Sequence, residues 1–151
     1  MKHLTFTVCL VLSTLFAVTG YAQKQHPNKA SLFANFPSTI KCTEADLSKL
    51  FTAAKGQNIS VSLENNFRLS GPVTSNLAKY HNLQTVVIQL SAFNNSLFSL
   101  SKQTDQNNNY TYVGRIINPS YADGFELTRT ADGNYQFIKI DLEKILVDCN
   151  Q

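Results

Sequence analysis

The stretch YTYVGRIINPSYADGFELTRTADGNYQFIKI, residues 110–140, decides the fold. Residues 110–117 are dominated by β-branched and aromatic side chains, and residues 124–129 and 134–140 repeat that character. Such runs read as strands because stiff, branched side chains pack well on a pleated surface. Asn118-Pro119-Ser120-Tyr121-Ala122-Asp123, made of turn formers, joins the first two. Asp132-Gly133 supplies a tight hairpin between the last two. Connections this short cannot hold a parallel crossover, so the three strands are antiparallel neighbours.

Upstream, the same two-residue period runs through residues 58–63, where Ile59, Val61 and Leu63 alternate with Asn58, Ser60 and Ser62. It resumes in 67–73, interrupted by Gly71-Pro72, a mark of a bulge or a strand edge. Residues 83–90 (LQTVVIQL) and 97–102 are further strands, and 75–81 reads as a loop with Leu77 and Tyr80 tucked in. Asparagine falls at the turns 64–66, 94–95 and 104–109, because its side chain mimics backbone hydrogen bonding and tolerates left-handed φ/ψ. Before the strands, Thr43 caps a helix whose face is Leu47, Leu50, Phe51 and Ala54, with Gly56 as its stop. Leu32–Pro37 is a short apolar cluster expected against the core, and Asp141 caps a closing helical turn. The predicted class is therefore α+β: one N-terminal-side helix packed on a twisted antiparallel β-meander of about seven strands.

One feature strains that picture. Tyr110, Tyr112, Gly114 and Ile116 share one face of residues 110–117, and Thr111, Val113, Arg115 and Ile117 share the other. Neither face is cleanly polar, as one side of a solvated antiparallel sheet should be. Either the sheet closes on itself, as a barrel or sandwich, or one apolar face awaits a partner.

The N-terminus predicts a compartment. Lys2 and His3 precede an apolar run over residues 4–18, and Gly20-Tyr21-Ala22 offers small residues at a cleavage site. The run is shorter than the roughly 20 residues that span a bilayer. Residues 1–22 therefore read as a secretory signal peptide, 23–31 as a flexible tail and 32–151 as a single domain. The product is expected to be periplasmic or extracellular, with no membrane insertion after leader removal. Cys9 leaves with the leader, and the remaining Cys42 and Cys149 are expected to form a disulfide. It would close about 108 residues, worth on the order of 4–5 kcal/mol in the chain-entropy picture.

Composition excludes several functions. Over 151 residues the formal net charge is only +3, with no run of Lys or Arg, so no footprint for nucleic acid exists. No G-x-S-x-G, H-E-x-x-H, phosphate-loop or calcium-loop pattern occurs, and neither a cofactor nor a metal is implied. Of the histidines past the leader, His26 falls in the tail and His81 in a loop. Asp123 with Glu126, and Asp141 with Glu143, are carboxylate pairs better read as turn chemistry and, for Glu126, as a cross-strand partner of Arg115. The suggestive feature is tyrosine clustering. Tyr110, Tyr112, Tyr121 and Tyr135 lie in or beside adjoining strands, with Arg115 and Asp123 as polar orienters at the border. That pattern predicts a small non-catalytic module binding a protein or a glycan. A small exported hydrolase and a structural accessory protein are the alternatives.

Overall fold

The computed structural model describes residues 29–147. The leader, most of the tail and Cys149 lie outside the described residues. Strands β1 (Thr39–Cys42), β2 (Asn58–Ser62), β3 (Arg68–Tyr80), β4 (Leu83–Leu90), β5 (Ser96–Thr104), β6 (Tyr110–Ile117), β7 (Asp123–Arg129) and β8 (Tyr135–Asp141) make one antiparallel sheet in the order β1-β8-β7-β6-β5-β4-β3-β2. From β2 to β8 every strand lies beside its successor, as the short connections require. The sheet curls into a half-barrel with β1 and β2 as its two edges. Helices α1 (Glu44–Lys49) and α2 (Leu142–Val147) have six residues each. The antiparallel meander is as expected, but the described residues are mostly β, with eight strands, partial closure and only short helices among them.

The added strand is β1, whose Thr39 to Cys42 pair with Ile138 to Tyr135 of β8. Four residues with only Ile40 and Cys42 facing inward are too short to carry a period. At the other edge β3 serves two neighbours. Arg68 to Pro72 pair with β2, and Val73 to Tyr80 pair with β4. The handover falls at Gly71-Pro72, where a Cβ on Gly71 would sit 1.9 Å from the Gln89 carbonyl oxygen. The loop expected over 75–81 is instead the second half of β3, and Leu77 and Tyr80 project to solvent at 58% and 68% exposure.

Thr43 and Asp46 form the reciprocal capping box that starts α1, satisfying two of its free N–H groups. The helix ends at Lys49 rather than continuing to Lys55. Beyond it Leu50, Phe51 and Thr52 donate to the carbonyls three residues back, and the Thr52 hydroxyl takes the Lys49 carbonyl. Tightening from 3.6 to about 3 residues per turn brings Ala53 into the buried stripe with Leu47, Leu50 and Phe51 and leaves Ala54 outside. Asp141 caps α2 as predicted, accepting from the Glu143 and Lys144 N–H groups. Among the described residues every non-glycine with positive φ is an asparagine: Asn65, Asn66, Asn94, Asn95 and Asn108.

The concave side holds the core. Val86, Ile88, Leu90, Phe98, Leu100, Ile116, Phe125, Leu127 and Phe137 point inward from β4 to β8, where α1 and residues 31–36 fill the space. Phe33 is fully buried, with its ring 5.0 Å from that of Phe125 and 5.2 Å from that of Phe93. Lys29, Ala30 and Ser31, expected in the flexible tail, are hydrogen-bonded to Glu143, Ala122 and Asp123.

Candidate functional site

The tyrosines do not share a surface. Tyr112 and Tyr135 are core residues, 2% and 1% exposed, with rings packed edge to face at 5.5 Å. The cause is local. Only three residue pairs, Gly114↔Leu127 to Ile116↔Phe125, join β6 to β7, so the strands splay beyond Gly114. The Tyr135 ring enters that gap, and its hydroxyl accepts the N–H of Tyr112 at 3.2 Å. Burial, and after it the nearby Glu44 carboxylate, push the Tyr112 phenol up to about 12. Tyr110 is half exposed and shares Lys102 with Phe51, the ammonium lying 5.2 and 5.1 Å from the two ring centres. Tyr121, between β6 and β7, accepts a hydrogen bond from the Asn94 amide.

The two polar candidates also part. Asp123 is buried and faces the core side, where it accepts from the Ser31 hydroxyl and the N–H groups of Leu32 and Phe33. Arg115 is on the outer face, bonded to its cross-strand partner Glu126 at 2.8 Å. Asp123 and Glu126 therefore lie on opposite faces and form no pair across a cleft. Of the six candidates only Arg115 and Tyr121 line a common cavity.

That cavity belongs to a strip on the outer face. A depression of about 450 Å³ over β5 and β6 is bordered by Leu97, Val113 and Ile117, with Ser99 and Ser101 as its floor. It adjoins a groove of about 340 Å³ between the β6–β7 connection and α2, walled by Tyr121, Ile140, Leu142 and Ile145. Arg115, Ile117 and Pro119 border both. Leu97 and Val113 stand 47% and 60% exposed, although both belong to strands and Val113 lies mid-strand. Sequence periodicity had grouped Val113, Arg115 and Ile117 on one face. It could not say that this face, rather than the tyrosine face, is the one left open.

A third cavity, about 370 Å³, opens between the edges of the half-barrel, lined by Cys42, Asp46, Ser62, Glu64, Asp132 and Tyr135 among others. Burial, assisted by the Asp46 charge, pushes the Cys42 thiol up to about 12, so it stays protonated. Hydrogen bonds from Thr130 and Asn134 bring Asp132 down to about 2. Desolvation opposes the same effect at Asp46, but hydrogen bonds from Thr43 hold its carboxyl below the usual value. Neither carboxylate can donate a proton near neutrality. Cys42 carries a free thiol, at the Tyr135 end of β8, whereas α2 leaves the opposite end at Asp141. Its expected partner, Cys149, lies outside the described residues.

His81 sits in the tight turn between β3 and β4 and is exposed. Among the described residues no group of three His, Cys, Asp or Glu could hold a metal ion, and no helix is long and apolar enough to cross a membrane. Comparison with protein-family models, curated proteins and solved structures finds no match.

Proposed function

We propose that this chain is an exported binding module whose partner is a protein, docked on the outer face of β5, β6 and β7. The observation that carries this reading is the strip running from Leu97 and Val113 through Ile117 and Pro119 to Ile145. Contiguous apolar surface on a small domain marks an interaction site more often than singly scattered residues do. Its apolar lining is aliphatic, with Tyr121 only at one end, so it offers little of the flat aromatic surface on which sugars stack. The Arg115–Glu126 pair beside it contributes orientation more than affinity, because rim charges act mainly on encounter and register. Export rests on the leader pattern of residues 1–22.

The test compares the mature chain with a Leu97→Asp/Val113→Glu variant, using envelope extract and culture medium of the producing cell. A specific protein retained by the wild type and lost by the variant, at an unchanged thermal midpoint, supports the reading. Equal retention by both forms excludes the outer face as the contact.

A further inference from the structure

The ladder between β6 and β7 stops at Gly114↔Leu127, so the strand ends that carry Tyr110 and Arg129 stand apart without a cross-strand pair. Tyr110 lies two residues from buried Tyr112, and Arg129 two residues from buried Leu127. Strand alternation therefore puts both on the concave side, at its rim. Glu44, which opens α1, and the β5–β6 turn border the rest of this mouth. The cavity so formed measures about 560 Å³, within the roughly 300–1,000 Å³ typical of small-ligand sites. None of its lining residues belongs to the buried core.

The lining is unlike that of the outer strip. Tyr110 is 42% exposed, a flat ring with the Lys102 ammonium 5.2 Å from its centre. Around it stand the carboxylates of Glu44 and Asp105, the guanidinium of Arg129 and the amides of Asn108 and Asn109. Asp105 is built into the turn, accepting the N–H groups of Asn107 and Asn109 at 2.8 Å and the Asn109 amide at 3.0 Å. Those bonds hold the turn in one shape before any ligand arrives. The side chains of Glu44, Asn108 and Arg129, by contrast, make no hydrogen bond and no ion pair among the described residues. An acid and a guanidinium that share a cavity without pairing are open to a ligand.

A carboxylate only accepts, a guanidinium only donates, and an amide does both. A hydroxyl satisfies all three, and adjacent hydroxyls suit groups that present two parallel donors or acceptors. Tyr110 supplies a flat apolar face for the C–H side of a sugar ring. Glu44 and Asp105 are balanced by Arg129 and the neighbouring Lys102, so the site has no net charge to draw an ionic ligand. We infer that the mouth between β6 and β7 is a binding site for a neutral saccharide, with Tyr110 as the stacking ring and Glu44 and Arg129 as the groups that take its hydroxyls. It lies on the opposite side of the sheet from the outer strip and is independent of the docking face proposed above.

The probe is an array of neutral and acidic oligosaccharides overlaid with the labelled mature chain, followed by calorimetry with the neutral glycan best retained. Tyr110→Ala and Arg129→Met should each weaken that binding by about tenfold or more. Their thermal midpoints should match the wild type, because both side chains are exposed. Tyr110→Phe keeps the ring and should bind as the wild type does, as should the Leu97→Asp/Val113→Glu chain. An array that retains no neutral glycan overturns the inference, and so does retention of acidic glycans alone that high salt abolishes. Equal affinity in the wild type, Tyr110→Ala and Arg129→Met also overturns it, by placing the sugar elsewhere.

Discussion

The hydroxyl of Tyr135 accepts a hydrogen bond from the backbone N–H of Tyr112 across the splayed end of β6 and β7, at 3.2 Å. The contact reverses the expected role of both residues, since it makes them core supports rather than parts of a binding platform. Tyr135→Phe keeps the ring and removes only the acceptor, leaving a buried donor unpaired. The expected cost is about 1–3 kcal/mol. Tyr112→Ala empties an aromatic site and should cost roughly 3–5 kcal/mol. Urea denaturation of both variants checks the order, and a Tyr112→Ala chain as stable as the wild type would place that ring outside the core.

Two charged groups flank the same strand with unequal consequences. Asp123 is buried, and its carboxylate serves three donors of residues 31–33, so Asp123→Ala takes the acceptor from all three and leaves the buried Phe33 N–H unpaired. A buried donor left without its acceptor costs about 1–3 kcal/mol. Arg115 and Glu126 form an ion pair exposed on the outer face, where a pair contributes about 0.2–1 kcal/mol. Denaturation midpoints of Asp123→Ala and Glu126→Ala should therefore differ several-fold in their shift from wild type.

Alkaline pH should unfold the protein through its buried neutral acids. The Cys42 thiol is raised from 9.0 to about 12 and the Tyr112 phenol from 10.0 to about 12, each first by desolvation. The unfolded chain releases these protons at lower pH than the folded one, so rising pH favours unfolding. Their stabilisation is complete below about pH 9 and is lost towards pH 12. Cys42→Ala should flatten the fall in stability between pH 9 and 12 relative to wild type, as read from midpoints at each pH. The same burial makes the native thiol slow towards iodoacetamide at pH 8. Mass after alkylation in denaturant without reductant should show Cys42 as a free thiol; an unlabelled Cys42 would return it to the bridge with Cys149 expected from the sequence.

Gly71 is irreplaceable for a steric reason. Its φ is +154°, and an added Cβ would meet the Gln89 carbonyl oxygen at 1.9 Å, a backbone atom that cannot swing aside. Gly71→Ala should cost at least the roughly 1–3 kcal/mol typical of overpacking. Gly56→Ala, with nothing within 4 Å, should cost less despite its positive φ. The comparison of the two thermal midpoints checks the cause.

Several local patterns were read correctly because the physics behind them is local. Asn65, Asn66, Asn94, Asn95 and Asn108 turn the chain at the predicted sites because a single side chain decides whether left-handed φ/ψ is tolerated. Thr43 caps α1 as expected, because its bond to the Asp46 N–H spans only four residues. The cross-strand partnership of Arg115 and Glu126 followed from the length of one connection. Errors arose where distant segments meet. β1 depends on a partner strand nearly a hundred residues later, and the anchoring of Ser31 depends on Asp123. The stop of α1 shifted because its last turn tightened, a choice between two nearly equal hydrogen-bond patterns.

By itself the sequence determined most of the strands and their turns, the antiparallel order of the meander and the grouping of residues onto alternate faces. Each of these follows from backbone geometry over a few residues. Only the tertiary structure decided which face turns inward. Period-two alternation is symmetric between the two sides of a sheet, and Tyr110, Tyr112 and Ile116 on one face balance Val113 and Ile117 on the other. Curvature breaks that symmetry. The half-barrel closes over the side that residues 31–36 and α1 can fill, which buries Tyr112 and Tyr135 and leaves Leu97 and Val113 in solvent.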